Sequence, residues 1–442
     1  MGSAKADAGA TVTAPPVGGA VTVAVVGGGL TGLALGYQLA RRGVPHRVLE
    51  AAERPGGVIR SGRVRGHVLE WGPQRARLTQ GLQELVDALG LREHLVVAPE
   101  GLPLYVYARG KLRRVPFSVP DFLRADVVSW PGKLRMLQEP FTAAARDDES
   151  VAAFFTRKLG REAYENLIGP LYGGLYASDP AHMRVGLSLA HVLREFGLQE
   201  SLLLPLLKTG GAIRPPAACS FAEGMQTLPE ALYRANREHT RLGAPVRRLR
   251  GRIGAFTLEL EGGETLAAAE VVLTTPAPAS AAALAEIAPE AAARLRKLTY
   301  NPLVVVHLYA ETELRGLGYQ VSLAERAMVT RGVTFNDSLF ARKGVYTVYL
   351  GGARVPDIFE RSDDELRETA VREFRAVTGY AGEPLAVERE RMPAWDTSWA
   401  ALEGLTLPPG VRIAANWESR PGMPGRLVQA KRLAAELAGV RG

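Results

Sequence analysis

Residues Val23 to Gly32 read V-A-V-V-G-G-G-L-T-G. A short β-branched run ends in glycines, and an apolar-periodic stretch (Leu33, Leu35, Tyr37, Leu39) follows at once. That pattern predicts a strand, a tight turn and a helix start. Gly27, Gly29 and Gly32 fall in G-x-G-x-x-G spacing, and each has a physical task. The first permits the turn, the second lets a pyrophosphate approach the backbone, and the third lets helix and strand pack closely. The helix N-terminus aims its free N–H groups and dipole at the phosphates. A second strand, Arg47-Val48-Leu49, delivers Glu50, a carboxylate placed for a ribose hydroxyl.

Outward from this stretch, the chain of 442 residues is 47% hydrophobic, enough for two or three domains. Its single cysteine, Cys219, excludes an internal disulfide framework and suits a reducing cytoplasm. The seven histidines are scattered, without H-E-x-x-H spacing, so no metal is expected. Net charge is +8. Without zinc-finger spacing or an RNA-binding strand motif, nucleic acid is not the expected partner. An anionic membrane surface or an acidic substrate fits the charge. Residues 1–20 read as a disordered leader, and no stretch is long and apolar enough to span a bilayer.

Further along, E-R-P-G-G (Glu53 to Gly57) brings a second close backbone approach. Val58 to Val68 reads as strand and Gly81 to Gly90 as a short amphipathic helix. Leu104 to Val115 reads as a hairpin turning at Arg109-Gly110. From Asp121 to Leu207 the pattern is helical, with Ser150 as an N-cap and an apolar side over Leu187 to Leu207. That side is either the inside of a packed subdomain or a patch lying on a membrane. Ala244 to Leu249, Phe256 to Leu260 and the buried run Thr265 to Leu273 resume the nucleotide-binding sheet late in the chain. Helices are expected over Asp364 to Val377 and Leu427 to Val440.

These residues carry a resemblance. Gly27 to Gly32, Glu50 and E-R-P-G-G are similar to the amine-oxidase-like FAD flavoproteins. Within them, Leu171 to Asp179 resembles the G-x-Y-A-G-D stretch of the oxygen-dependent protoporphyrinogen and coproporphyrinogen oxidases. Phe221 to Leu228 resembles their F-x-G-G-L-x-x-L and Gly351 to Arg354 their G-G-A-R. The resemblance implies an α/β fold: a discontinuous, Rossmann-like FAD-binding domain of glutathione-reductase type (21–80, 217–282, 395–442). With it go an α+β substrate domain (100–116, 283–394) and a helical subdomain (117–216). It implies FAD, with Gly27, Gly28, Gly29, Leu30, Thr31 and Gly32 on the pyrophosphate and Glu50 with Ala51 at the adenosine ribose. Arg54, Gly56, Gly57 and Val58 run along the dinucleotide, Glu70 to Pro73 (with Gly72) lie near the ribityl and ring side, and Val246 meets the adenine. Asn416, Gly422 and Met423 complete the cofactor set; Gly174 and Arg420 face the substrate.

The implied chemistry is oxidation of a porphyrinogen with dioxygen as the final acceptor, in haem biosynthesis, with hand-over of the product to the next enzyme. The implied location is cytoplasmic, with peripheral membrane contact. No catalytic base is evident in the sequence. Three departures stand out. The C-terminal segment Ala415 to Gly422 keeps Asn416 and Gly422 but has arginine at 420, where relatives have glycine. Leu104 replaces an arginine able to meet a propionate, and Met392-Pro393 replaces tryptophan-proline. Arg420 is therefore expected to meet a propionate from the flavin side. Two other readings stay open: an amine oxidase or carotenoid desaturase, and an FAD-stabilised haem-pathway binding protein without turnover.

Overall fold

The computed structural model describes residues 20–208, 216–419 and 422–439. Strands are numbered in chain order. The first sheet runs β10 (Thr240–Arg241), β2 (His46–Leu49), β1 (Val21–Val26), β13 (Thr265–Leu273), β12 (Ala255–Leu260), β11 (Val246–Arg252), with β19 (Val411–Ile413) also on β13. Pairs β2–β1, β1–β13, β10–β2 and β13–β19 are parallel; β11 to β13 form an antiparallel meander. Val23, Ala24 and Val25 are fully buried, as a parallel strand covered on both faces must be. Helix Leu30–Ala40 covers one side, packed on the C-terminal helix Met423–Gly439. That last helix starts four residues before the sequence reading placed it, at Met423 instead of Leu427, with buried Arg426 inside its first turn.

The second sheet runs β18 (Glu383–Pro393), β14 (Tyr300–Tyr309), β17 (Val345–Gly351), β16 (Thr330–Phe335), β15 (Gly318–Val321), β7 (Leu104–Ala108), β8 (Lys111–Arg114). Period 2 divides it into two unlike faces. Val304, Val306, Tyr319, Val333, Tyr346 and Val348 form a core with Leu366, Ala370 and Phe374 of helix Asp363–Thr378. That helix is fixed at its start by a Ser362–Glu365 capping box and at its end by Gly379 in the left-handed region. The opposite face carries His307, Gln320, Thr334, Thr347 and Tyr349, together with a small apolar cluster of Leu303 and Val305 against Ala177.

Between the sheets lie the hairpin β3 (Ser61–Val64)–β4 (His67–Glu70) and a small sheet of β5 (Ala76–Arg77), β6 (Leu95–Val97) and β9 (Ala218–Phe221). The single strand expected over Val58 to Val68 is thus a hairpin, folded at Arg65 and Gly66, both with positive φ. Positive φ is costly for arginine and free for glycine, so the turn is anchored by Gly66.

Residues 117–208 form a helical region whose core holds Phe154, Leu159, Met183, Leu189 and Leu193. Ser150 accepts from Ala153 N at 3.1 Å as its cap. The apolar side expected over Leu187 to Leu207 is divided among short helices, Val185–Ser188, Ala190–Glu195 and Leu203–Lys208, and Leu189 and Leu193 point inward. The exposed apolar side chains of this region are largely elsewhere: Phe117, Leu123, Trp130, Leu134, Leu137 and Phe141. No described helix is long and apolar enough to cross a membrane.

Candidate functional site

The end of β1 builds the first part of the site. Gly27 turns with φ +110°, and Gly29 caps the following helix in extended geometry. A Cβ on Gly32 would stand 1.9 Å from the Gly27 carbonyl oxygen, so only glycine lets the helix approach the strand. A Cβ on Gly29 would meet nothing within 4 Å. The two glycines therefore have opposite surroundings: Gly32 faces protein and Gly29 faces open space at a helix N-terminus. Leu30 and Thr31 in that first turn are buried and hold it in place.

Glu50, at the end of β2, turns its carboxylate back to the cradle. It accepts from Gly28 N at 2.5 Å and from Ala52 N at 2.9 Å, leaving Ala51 exposed between them. The second glycine pair closes over the first: Gly29 and Gly56 form a parallel bridge, and Gly56 N donates to Gly28 O at 2.9 Å. Gly57 sits in the left-handed region, its missing Cβ position 3.2 Å from Gly29 Cα. Arg54 donates to Gly57 O at 2.8 Å, so its guanidinium fixes the turn. Val58 is half-exposed, and Gly72, ahead of Pro73, lies hard against the Val58 carbonyl.

Val246 opens β11 after Gly243-Ala244-Pro245, where the N–H groups of Gly243 and Ala244 donate to Ala52 O (3.0 Å) and Glu50 O (2.7 Å). Asn416, half-buried, follows β19 in a turn held by Arg426, whose guanidinium reaches Ala415 O and Ser419 Oγ, each at 2.6 Å. Gly422 and buried Met423 begin the C-terminal helix; Arg420 lies outside the described residues. Open space beside Gly29 at a helix N-terminus, the Glu50 carboxylate and the Gly56–Gly57 turn fit a dinucleotide cofactor.

Glu70 does not face this space. Its carboxylate is fully buried and takes Arg342 at 2.6 Å, Met225 N at 2.9 Å and the Ser61 hydroxyl. Burial pushes the carboxyl up and the Arg342 guanidinium opposes that rise. Nothing in the sequence signals the pair, because its members stand 272 residues apart. His307 donates from Nε2 to Glu70 O at 2.9 Å and has Thr347 Oγ1 3.0 Å from Nδ1. Burial pushes its imidazole down to about 4, so it stays neutral.

Gln320, Gly332 and Tyr349 lie in one cross-strand row on the polar face of the second sheet. Helix Gly169–Tyr176 comes so close that a Cβ on Gly174 would stand 2.7 Å from Gln320 Oε1. At the far end of the row is Tyr349, whose hydroxyl is 3.2 Å from Thr334 Oγ1. Burial pushes the Tyr349 phenol up to about 12, and the positive charge of Arg75 works against that rise. Gly174 and Gln320 thus mark where the helical region packs on the second sheet, and Arg75 acts on Tyr349 from the segment after Gly72. Arg75 and Tyr349 escaped the sequence reading, since an arginine ahead of β5 looks like any edge charge.

The pattern of the family described as "Flavin containing amine oxidoreductase" matches residues 30–416. Protoporphyrinogen oxidase 1, chloroplastic, of Spinacia oleracea is 28% identical over 75% of this chain, which spans 65% of that protein's length. Coproporphyrinogen III oxidase of Bacillus subtilis (strain 168) is 27% identical, covering 76% of this chain and 77% of that protein. Among solved structures, a protein of Exiguobacterium sp. 255-15, provisionally described as a protoporphyrinogen oxidase, superposes with TM-score 0.77. It is 21% identical, over 95% of this chain and 99% of that one, and it shares the fold. The match over residues 30–416 settles the matter: the chain belongs to the flavin containing amine oxidoreductases, and its cofactor is FAD.

Proposed function

We propose that this protein oxidises a porphyrinogen to the porphyrin, with dioxygen as the final electron acceptor and coproporphyrinogen III preferred over protoporphyrinogen IX. The observation that carries the reading is the similarity, over three quarters of the chain, to enzymes named for those two substrates. FAD, when bound, supplies the two-electron acceptor that no side chain can replace.

The chain's own residues bind, orient and enclose. The cradle Gly27 to Gly32 presents backbone N–H groups to the pyrophosphate, and Glu50, now held by Gly28 and Ala52, is placed for the ribose hydroxyls. Gln320, Gly332 and Tyr349 form a polar cross-strand row on the second sheet, and Gly174 lets helix Gly169–Tyr176 pack directly onto Gln320 at its start. Tyr349, with its phenol held protonated at neutral pH, can donate a hydrogen bond there and does not act as a base. Coproporphyrinogen carries four propionates and protoporphyrinogen two, so a chain of net charge +8 favours the former. Work in the cytoplasm, with peripheral membrane contact through the exposed apolar side chains of 117–141, completes the proposal.

The test is turnover of the flavin-loaded protein with each porphyrinogen, followed by porphyrin fluorescence in air and under nitrogen. Oxygen-dependent porphyrin formation, faster from coproporphyrinogen, is expected. A protein that leaves both porphyrinogens unoxidised, or that oxidises amines instead, would overturn the proposal.

A further inference from the structure

We infer that Arg75 is a specificity-determining carboxylate ligand in the space between the two sheets, pairing with a propionate of the substrate. This rests on the porphyrinogen reading above.

Among the described residues, six arginines have a buried nitrogen without a hydrogen-bond partner: 47, 75, 135, 342, 354 and 426. Five of them use their other nitrogens, on Glu238 O, Arg157 O, Glu70, Leu323 O and Ala415 O respectively. Arg75 alone makes no hydrogen bond and no ion pair among the described residues. Its residue is nonetheless partly accessible, so the side chain lines a recess instead of sitting in a sealed core. The groups whose charge it feels are Tyr349 and another cation, Arg77, and burial pushes its guanidinium down from the ordinary arginine range. An unpaired guanidinium enclosed in this way costs stability, because a charge withdrawn from water is tolerable only when paired. The neighbours do not supply the pair. Gln74, one residue before, is committed to Asn336, Thr347 and the Glu70 carbonyl. Glu70 itself is taken by Arg342. A ligand carboxylate would supply the missing charge.

Position supports the chemistry. Gln74, next to Arg75 in the chain, accepts from Thr347 of β17 at 3.0 Å, which sets Arg75 beside the face of the second sheet that carries Thr347 and Tyr349. A substrate carboxylate entering the recess beside Arg75 would accept from the guanidinium through both oxygens, and the Tyr349 hydroxyl can donate to one of them. Leu104, at the start of β7 on the other margin of the same sheet, offers no charge, so the cationic contact has moved to a different wall.

The experiment compares the flavin-loaded wild type with Arg75→Met and Arg75→Lys, using coproporphyrin III and its tetramethyl ester as fluorescent probes. For the tetraacid, Arg75→Met should bind about 10- to 100-fold more weakly, with Arg75→Lys in between. The ester should bind wild type and Arg75→Met alike. KM for coproporphyrinogen should rise more than kcat falls, and FAD content should be unchanged. Thermal unfolding of the cofactor-free Arg75→Met protein should occur at or above the wild-type temperature, since an unpaired buried charge is gone. Equal tetraacid binding by wild type and Arg75→Met overturns the inference while leaving the porphyrinogen reading intact. Loss of FAD assigns Arg75 to the cofactor, and a lower unfolding temperature or failure to fold assigns it to structure; both overturn it. If wild type neither binds nor oxidises any porphyrin, the underlying reading fails instead.

Discussion

Gly29 and Gly32 stand three residues apart and answer the same substitution in opposite ways. Gly29 has φ −71° and ψ −179°, geometry open to any residue, and unfilled space beyond it. Gly29→Val should therefore fold and melt like the wild type yet purify without flavin absorbance. Gly32→Ala, by contrast, would place a methyl 1.9 Å from a carbonyl and should lower stability itself. Normal flavin content in Gly29→Val would place the pyrophosphate elsewhere. Two histidines give the molecule a second residue-level signature. His46 donates from Nδ1 to Val44 O and accepts at Nε2 from Asn236; His307 has the reverse tautomer. Burial pushes both from 6.5 to about 4. The unfolded chain then binds more protons between those values, so their contribution is complete above pH 6.5 and is lost as pH falls toward 4. Each adds a slope of up to about 1.4 kcal/mol per pH unit in that window. Denaturant midpoints should fall accordingly, and less steeply in His46→Gln; an unchanged slope would show that His46 titrates normally.

At the scale of elements, the Glu70–Arg342 pair ties hairpin β3–β4 to the segment before β17, with Met225 N and Ser220 as further anchors. Removing one partner leaves a buried charge alone, so Arg342→Met should cost about 3–5 kcal/mol in denaturant unfolding. Glu70→Leu combined with Arg342→Met should recover much of that loss. A silent single variant would show the pair to be dispensable. Elements with a repeating local pattern were legible in the sequence: the β1–turn–helix unit, the Leu104 to Val115 hairpin and helix Asp363–Thr378 all declare themselves by periodicity, turn or cap. The Arg65–Gly66 turn was hidden because β3 and β4 read as one continuous strand. The buried pairs were hidden for a different reason. Glu70 and Arg342, or Lys158 and Glu139 (3.2 Å apart, both fully buried), look like surface charges until the fold brings them together.

The whole molecule exposes apolar side chains unevenly. Trp130 is 62% and Phe141 91% exposed, with Leu134 and Leu137 between them, and Lys133 lies 4.5 Å from the Trp130 ring centroid. Anionic vesicles should therefore retain the protein at low salt and release it at high salt, and Trp130→Glu with Phe141→Glu should abolish retention. Retention of that double variant would place the contact on another surface. The sequence reading looked for this patch over Leu187 to Leu207, because a one-dimensional apolar count cannot tell which side of a short helix the neighbouring helices cover.

The parallel pairing of β1 with β13 has a consequence for how the chain is made. Val21 to Val26 leave the ribosome some 247 residues ahead of their partners Ala268 to Leu273, and β19 follows at residue 411. Contacts so distant in sequence form only after much loop entropy has been surrendered. A nascent chain carrying the complete glycine motif thus has no sheet to seat it, and β1 waits with one edge unpaired. Cofactor capture is then a late event of biosynthesis, and prematurely terminated chains are apoproteins with an open, aggregation-prone edge.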